Sequence, residues 1–212
     1  MNRAIIAGII TISIFVAGFS LGSLWEVFRE EKIQKELDEM SVYSTSLLLQ
    51  SQLIEEATCP AFFPILTDAL KDLRNSLDRY TTYTESSFFD MDGQNLLYRQ
   101  YLMANIKYWM FAEKYKEQCG WNTSIIIYFF DGDCGDNCTA MSTRLDYLKR
   151  KYEDELLVFP VNLNLAKNDP IAKTMVYLYN VTTFPTIMTN GEIYHELSID
   201  ELEDLVCQSI IC

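Results

Sequence analysis

The chain has 212 residues, 49% of them hydrophobic, with 17 basic against 30 acidic side chains and a net charge of -13. That length holds one ordinary domain plus a smaller module, and the composition is that of a globular rather than a disordered protein. The acidic excess repels phosphate backbones, so nucleic-acid binding is not an expected activity.

Residues 4–25 carry no charged side chain, and a helical run of that length spans the roughly 30 Å hydrocarbon core of a bilayer. The expectation is a transmembrane anchor over residues 1–25. Arg3 precedes the run and Glu26, Glu30 and Glu31 come after it, which places the N-terminus in the cytoplasm and the rest of the chain outside. The alternative is a cleaved secretory signal ending near Ser20-Leu21-Gly22, and either reading exports the remainder of the chain. Six cysteines in an exported chain make disulfides permissible.

Residues 26–56 have helical spacing of Val27, Ile33, Leu37, Met40, Leu47 and Ile54, and Cys59-Pro60 with Pro64 is expected to end that helix. A second helix is predicted over 64–80 and a third over 94–118, separated by the Asp90, Asp92, Gly93 cluster and closed by Gly120. Three such helices pack most simply as a stalk or bundle over residues 26–120. If the second and third lie antiparallel, Cys59 comes near Cys119 and a structural disulfide is expected there; two buried free thiols are the alternative.

After Gly120 the rhythm changes to alternating strands and helices. Residues 124–130 (SIIIYFF) read as a central strand buried on both faces, followed by a helix over 138–152 and a strand over 156–163. Asp169-Pro170 opens a helix to Tyr179. Residues 185–189 and 192–196, joined by Asn190-Gly191, form a hairpin, and Ser198 with Glu201 makes a capping box for a last helix to Ser209. Asn122, Asn137 and Asn180 each begin an N-glycosylation pattern. Cys207 and Cys212 lie five apart at the end of the last helix, where bonding needs a frayed end, so their pairing is left open.

The order of strand, cysteine pair, helix, strand, helix, proline-led hairpin and helix resembles the thioredoxin family. Cys134 and Cys138 stand at a strand-to-helix junction, Tyr179-Asn180-Val181 leads to Phe184-Pro185-Thr186, and the Asn-Gly hairpin with a terminal helix comes next. The resemblance covers residues 121–212. The fold class it implies is an α/β thioredoxin-like fold, a four-stranded mixed sheet flanked by helices, here preceded by the transmembrane helix and the helical hairpin or bundle. The whole chain is also similar to membrane-anchored thioredoxin-like proteins of archaeal type.

By that resemblance Cys134 is the nucleophile, Cys138 the resolving thiol, Pro185 a cis-proline, and Phe184-Pro185-Thr186 the edge that docks a substrate strand. The implied work is thiol-disulfide exchange on exported proteins at the outer face of a cell membrane, with a membrane redox partner and no cofactor. The cysteines here are separated by Gly135, Asp136 and Asn137, one residue more than in the family motif. Asp131, Asp133 and Asp136 crowd Cys134 and disfavour its thiolate, or one of them caps the helix. An acidic surround favours the disulfide, so a reductase, isomerase-like or weak oxidase role is expected rather than a strong oxidant. Two other readings stay open. Cys134, Cys138 and His195 resemble the copper ligands of Sco-type chaperones, soft thiolates with an imidazole. Alternatively the domain is a non-catalytic binding module whose 134/138 disulfide staples a loop.

Overall fold

The computed structural model describes residues 58–86, 91–132, 134–166 and 169–212, together with Ile12 and Val16. The expected anchor over 1–25, apart from Ile12 and Val16, and the expected helix over 26–56 lie outside the described residues. Residues Ala57–Cys212 form one compact unit.

Helix α1 (Cys59–Ser86) begins five residues before the predicted start and runs past Tyr80. Pro60 sits in its first turn, where the N–H it lacks would have had no partner, whereas Pro64 lies inside the helix without ending it. Past Tyr80 the hydroxyls of Thr81 and Thr84 bond back to the carbonyls of Leu77 and Tyr80, at 3.0 and 3.1 Å. Such residues carry no apolar rhythm, which is why the sequence pattern ended early. Helix α2 (Met91–Cys119) takes Asp92 and Gly93 into its first turn instead of breaking at them.

The two helices lie antiparallel, as their contacts show from end to end. Phe62 meets Tyr115 at a ring distance of 5.7 Å, Lys107 pairs with Asp72 at 3.0 Å, and Tyr80 packs on Tyr98 and Tyr101 at 5.5 and 6.3 Å. Phe62 and Leu102 are fully buried, each burial stabilising by about 2 kcal/mol.

The fold class requires one correction. No helix among the described residues is long and apolar enough to cross a membrane. Charges recur along both long helices, at Asp68, Lys71, Asp72, Arg74, Asp78 and Arg79 in α1 and at Arg99, Lys107, Glu113 and Lys114 in α2, so neither offers about 20 apolar residues in a row. The described residues form a mixed four-stranded sheet with helices, and none of these helices is a transmembrane span.

Strand β1 (Ser124–Phe130) lies at the centre of that sheet. It runs parallel to β2 (Leu156–Asn162), from Ser124↔Leu156 to Phe130↔Asn162, and antiparallel to β3 (Thr186–Thr189). Strand β4 (Glu192–His195) completes the order β2-β1-β3-β4. Asn190 and Gly191 join β3 to β4 with φ of 51° and 79°, the left-handed values that a two-residue hairpin turn requires and that these two residue types tolerate.

On one face of the sheet, Ile126, Tyr128, Leu156 and Ile187 pack against α3 (Gly135–Tyr152) through Met141, Leu145 and Leu148. Leu202 and Val206 of α5 (Ile199–Cys207) join the same cluster. On the other, Tyr108 of α2 packs against Phe159 with tilted rings 5.6 Å apart. A short 3-10 turn, Glu153–Glu155, leads from α3 into β2.

Helix α2 also closes the outer edge of β2. The Tyr98 hydroxyl donates to the Asn162 carbonyl and accepts from its N–H at 3.2 and 2.8 Å, and Asn105 Nδ2 donates to the Pro160 carbonyl at 3.0 Å. Burial raises the Tyr98 phenol well above its ordinary range and Tyr101 to about 12, so both stay protonated and Tyr98 remains a donor. An edge strand that would otherwise expose unpaired backbone is thus satisfied by side chains.

Helix α4 (Pro170–Leu178) is pinned to α2 by a single buried carboxylate. Asp169 accepts from the Ile171 N–H at 2.9 Å as the helix cap and pairs with Arg99 Nε at 2.8 Å. Asp169→Ala removes both contacts and is expected to lower stability by about 2 kcal/mol, read as a shift of the urea midpoint. An unchanged midpoint would show that neither contact contributes.

Candidate functional site

The parallel ladder extends one step beyond β2, with the Leu163 N–H donating to the Phe130 carbonyl at 2.8 Å. The chain then leaves the sheet through Asp131 and Gly132 and enters α3. That helix starts three residues before the predicted position, at Gly135, so Cys134 occupies the cap and Cys138 falls in the first turn. Gly135 has φ of 49°, a left-handed conformation that a side chain would strain, and this accounts for glycine directly after the first cysteine. Cys134 makes no capping hydrogen bond, so the first N–H groups of α3 are not answered by its side chain.

Cys134 and Cys138 are joined by a disulfide, with their Cα atoms 5.6 Å apart. Their surroundings differ. Cys134 is half-buried, whereas Cys138 is only 7% exposed. An approaching thiolate therefore meets the Cys134 sulfur, and reduction leaves Cys138 as a shielded thiol.

Two opposing electrostatic influences act on Cys134. The N-terminus of a helix carries unpaired N–H groups and partial positive charge, which stabilise a thiolate. Against this, the Asp131 carbonyl oxygen lies 3.3 Å from the Cys134 sulfur, and Asp136 stands exposed in the first turn. A disulfide sulfur has no proton to give that carbonyl, but a reduced thiol does, so the contact favours the neutral thiol. Asp133, the third carboxylate expected here, lies outside the described residues.

Behind the pair, Tyr128 and Ser142 were not foreseen as site residues. The Tyr128 hydroxyl donates to the Cys138 carbonyl at 2.9 Å and the Ser142 hydroxyl donates to the same oxygen at 2.6 Å. Tyr128 is 3% exposed, its ring stacks on Phe130 at 4.9 Å, and burial pushes its phenol up. Together these fix the backbone of the first turn of α3. The available signal for Tyr128 was the one phenolic hydroxyl in a mostly apolar strand.

The Phe184–Pro185 peptide is cis, and Pro185 is buried. The antiparallel register pairs Phe129 with Thr186, which brings Pro185 to the level of Phe130, at the end of β1 from which the Cys134 loop departs. Phe184 is half-buried and lies beyond the last ladder pair. Thr186 is fully buried and its hydroxyl donates to the Thr183 carbonyl.

His195 pairs across the hairpin with Thr186, and its Nδ1 lies 3.0 and 3.1 Å from the hydroxyls of Thr186 and Thr183. Cys134 and Cys138 are bonded to each other, and among the described residues no group of three or more His, Cys, Asp or Glu side chains is placed to hold a metal.

The remaining four cysteines are also paired. Cys59 and Cys119 are disulfide-bonded with Cα atoms 5.7 Å apart, joining the start of α1 to the end of α2. Cys207 and Cys212, whose pairing the sequence left open, are bonded with Cα atoms 5.4 Å apart.

No protein-family model matches the chain. No curated protein matches it either. Among solved structures the chain is similar to one described as that of a malarial protein, 25% identical with a TM-score of 0.34, over 42% of this chain and 99% of that one. It is also similar to the germline-specific thioredoxin Deadhead (Thioredoxin-1) of Drosophila melanogaster, 15% identical with a TM-score of 0.34, over 47% of this chain and 94% of that one.

Proposed function

We propose that the Cys134–Cys138 pair performs thiol-disulfide exchange on other proteins in an oxidising compartment outside the cytoplasm. The observation that supports this reading most is the disulfide seated at the β1–α3 junction, with one sulfur accessible, the other shielded, and Pro185 at the same end of the sheet. In the reduced protein the Cys134 thiolate attacks a substrate disulfide; one substrate sulfur leaves as thiolate and a mixed disulfide forms. Cys138, deprotonated, then attacks the Cys134 sulfur, releases the second substrate thiol and closes the 134/138 disulfide. Two electrons pass from the pair to the substrate, and an external dithiol restores them. The Phe184-Pro185-Thr186 segment supplies the edge along which a substrate strand lies.

The direction of exchange is set by the charges. An oxidant is strong when its reduced thiolate is stabilised, and here Asp136 and the Asp131 carbonyl act against that stabilisation. The role is therefore that of a reductase, an isomerase-like exchanger or a weak oxidase. A titration of the full chain in glutathione buffers, with the 134/138 pair followed by alkylation and mass spectrometry, tests this. The expected result is a reversible two-electron transition with a midpoint more reducing than about -180 mV. A midpoint near about -120 mV would contradict the direction, and a pair that never titrates would leave a stapled binding module instead.

A further inference from the structure

We propose that Cys207–Cys212 is a second exchangeable disulfide, which takes electrons from small external thiols at Cys212 and works independently of the first pair. Four features of the molecule carry this.

The two sulfurs are unequally placed: Cys212 is exposed, whereas Cys207 is half-buried as the last residue of α5. An incoming thiolate therefore bonds to the Cys212 sulfur, and the Cys207 sulfur is the leaving group.

That leaving group has a hydrogen-bond partner already in position. The Tyr152 hydroxyl oxygen lies 3.6 Å from the Cys207 sulfur and donates its own proton to Glu203 Oε1 at 2.7 Å. Lys151 holds the same carboxylate. The phenol oxygen thus presents a lone pair to Cys207, and an oxidised sulfur has no proton to offer it. Only after reduction does the Cys207 thiol donate to Tyr152, so this contact serves the reduced state.

The tail also keeps its place without the disulfide. Ile210, 6% exposed, is buried in the cluster that contains Leu202 and Val206, and the Gln208 and Ser209 N–H groups bond to the Asp204 and Val206 carbonyls. Ser209 and Asn190 exchange side-chain hydrogen bonds at 3.2 and 3.3 Å. The two thiols therefore stay within reach of each other and the bond can re-form. Cys59–Cys119 differs, since it joins the ends of two long helices across 60 residues of chain.

Finally, the two sites are remote. Cys138 lies in the first turn of α3 and Tyr152 ends that helix, so about 14 residues of helix, roughly 21 Å, separate the Tyr152 contact from the first pair. Direct sulfur-to-sulfur exchange within one molecule is excluded.

In the first step an external thiolate attacks Cys212, the 207–212 bond breaks, and a mixed disulfide forms while Cys207 leaves as thiolate and takes a proton from water. A second external thiolate then attacks the external sulfur of that mixed disulfide, releasing an oxidised external disulfide and Cys212. Two electrons pass in all from the external thiols to the 207/212 pair.

The test uses the full chain with Cys134 and Cys138 both replaced by serine, folded and unreduced, exposed to glutathione, quenched with an alkylating agent and mapped by mass spectrometry. The expected result is reduction of 207/212 at least roughly tenfold faster than 59/119, with glutathione found on Cys212. In Tyr152→Phe, the reduced fraction at a fixed glutathione ratio is expected to fall, because the thiol loses its acceptor. Reduction of 207/212 only together with 59/119, or glutathione carried on Cys207, would overturn the proposal. An unchanged reduced fraction in Tyr152→Phe would overturn the role of the hydroxyl. Because the first pair is absent from the test protein, these outcomes are separable from failure of the 134/138 reading.

Discussion

Replacing Cys134 by serine will lower exchange with a peptide disulfide to the uncatalysed background, whereas Cys138→Ser will complete one attack and then stall. The difference arises from exposure and chemistry together. Cys134 presents its sulfur at the cap of α3, and a serine hydroxyl there does not ionise to an attacking anion at neutral pH. Cys138 is only 7% exposed, so it does not meet a protein substrate first, but it alone lies within bonding distance of Cys134 to resolve the mixed disulfide. The measurement is the turnover of a fluorogenic peptide disulfide with a dithiol as donor. The reverse pattern, in which Cys134→Ser retains the first attack and Cys138→Ser loses it, would exchange the two roles.

The second large effect concerns stability. Replacing Cys59 and Cys119 together by serine is expected to cost roughly 4 kcal/mol, the chain-entropy value for a loop of about 60 residues. The bond closes the open end of the α1–α2 hairpin beside the Phe62–Tyr115 contact, and α2 in turn covers the β2 edge through Tyr98 and Asn105. Loosening the hairpin therefore reaches the sheet that positions Cys134. The urea midpoint of the double variant reads this out, and a loss below about 1 kcal/mol would show that helix packing alone holds the hairpin.

Those long-range contacts also explain which features were legible in the sequence. Local signals read well: the SIIIYFF run as a central strand, Asn190-Gly191 as a two-residue turn, and Ser198 with Glu201 as a capping box, whose reciprocal bonds are both present. Each is decided within a few residues by backbone sterics or side-chain capping. The start of α1 was not legible, because a proline reads equally as the end of one helix and the first turn of the next. Nor was the start of α3, where Gly135 takes a left-handed conformation yet belongs to the helix. At the site itself, the spacing of Cys134 and Cys138 at a strand end was visible, and so was the later Phe184-Pro185. The donors on the Cys138 carbonyl were not, since Tyr128 and Ser142 meet that oxygen only when β1 and α3 pack. The same holds for Tyr152 at Cys207, two residues 55 positions apart in the chain.

The most direct measurement is the intact and peptide-mapped mass of reduced Cys138→Ser after incubation with a model peptide disulfide. One peptide bonded to Cys134 is the expected result, released again by added dithiol. A protein that carries no adduct at that sulfur would contradict exchange at the β1–α3 junction.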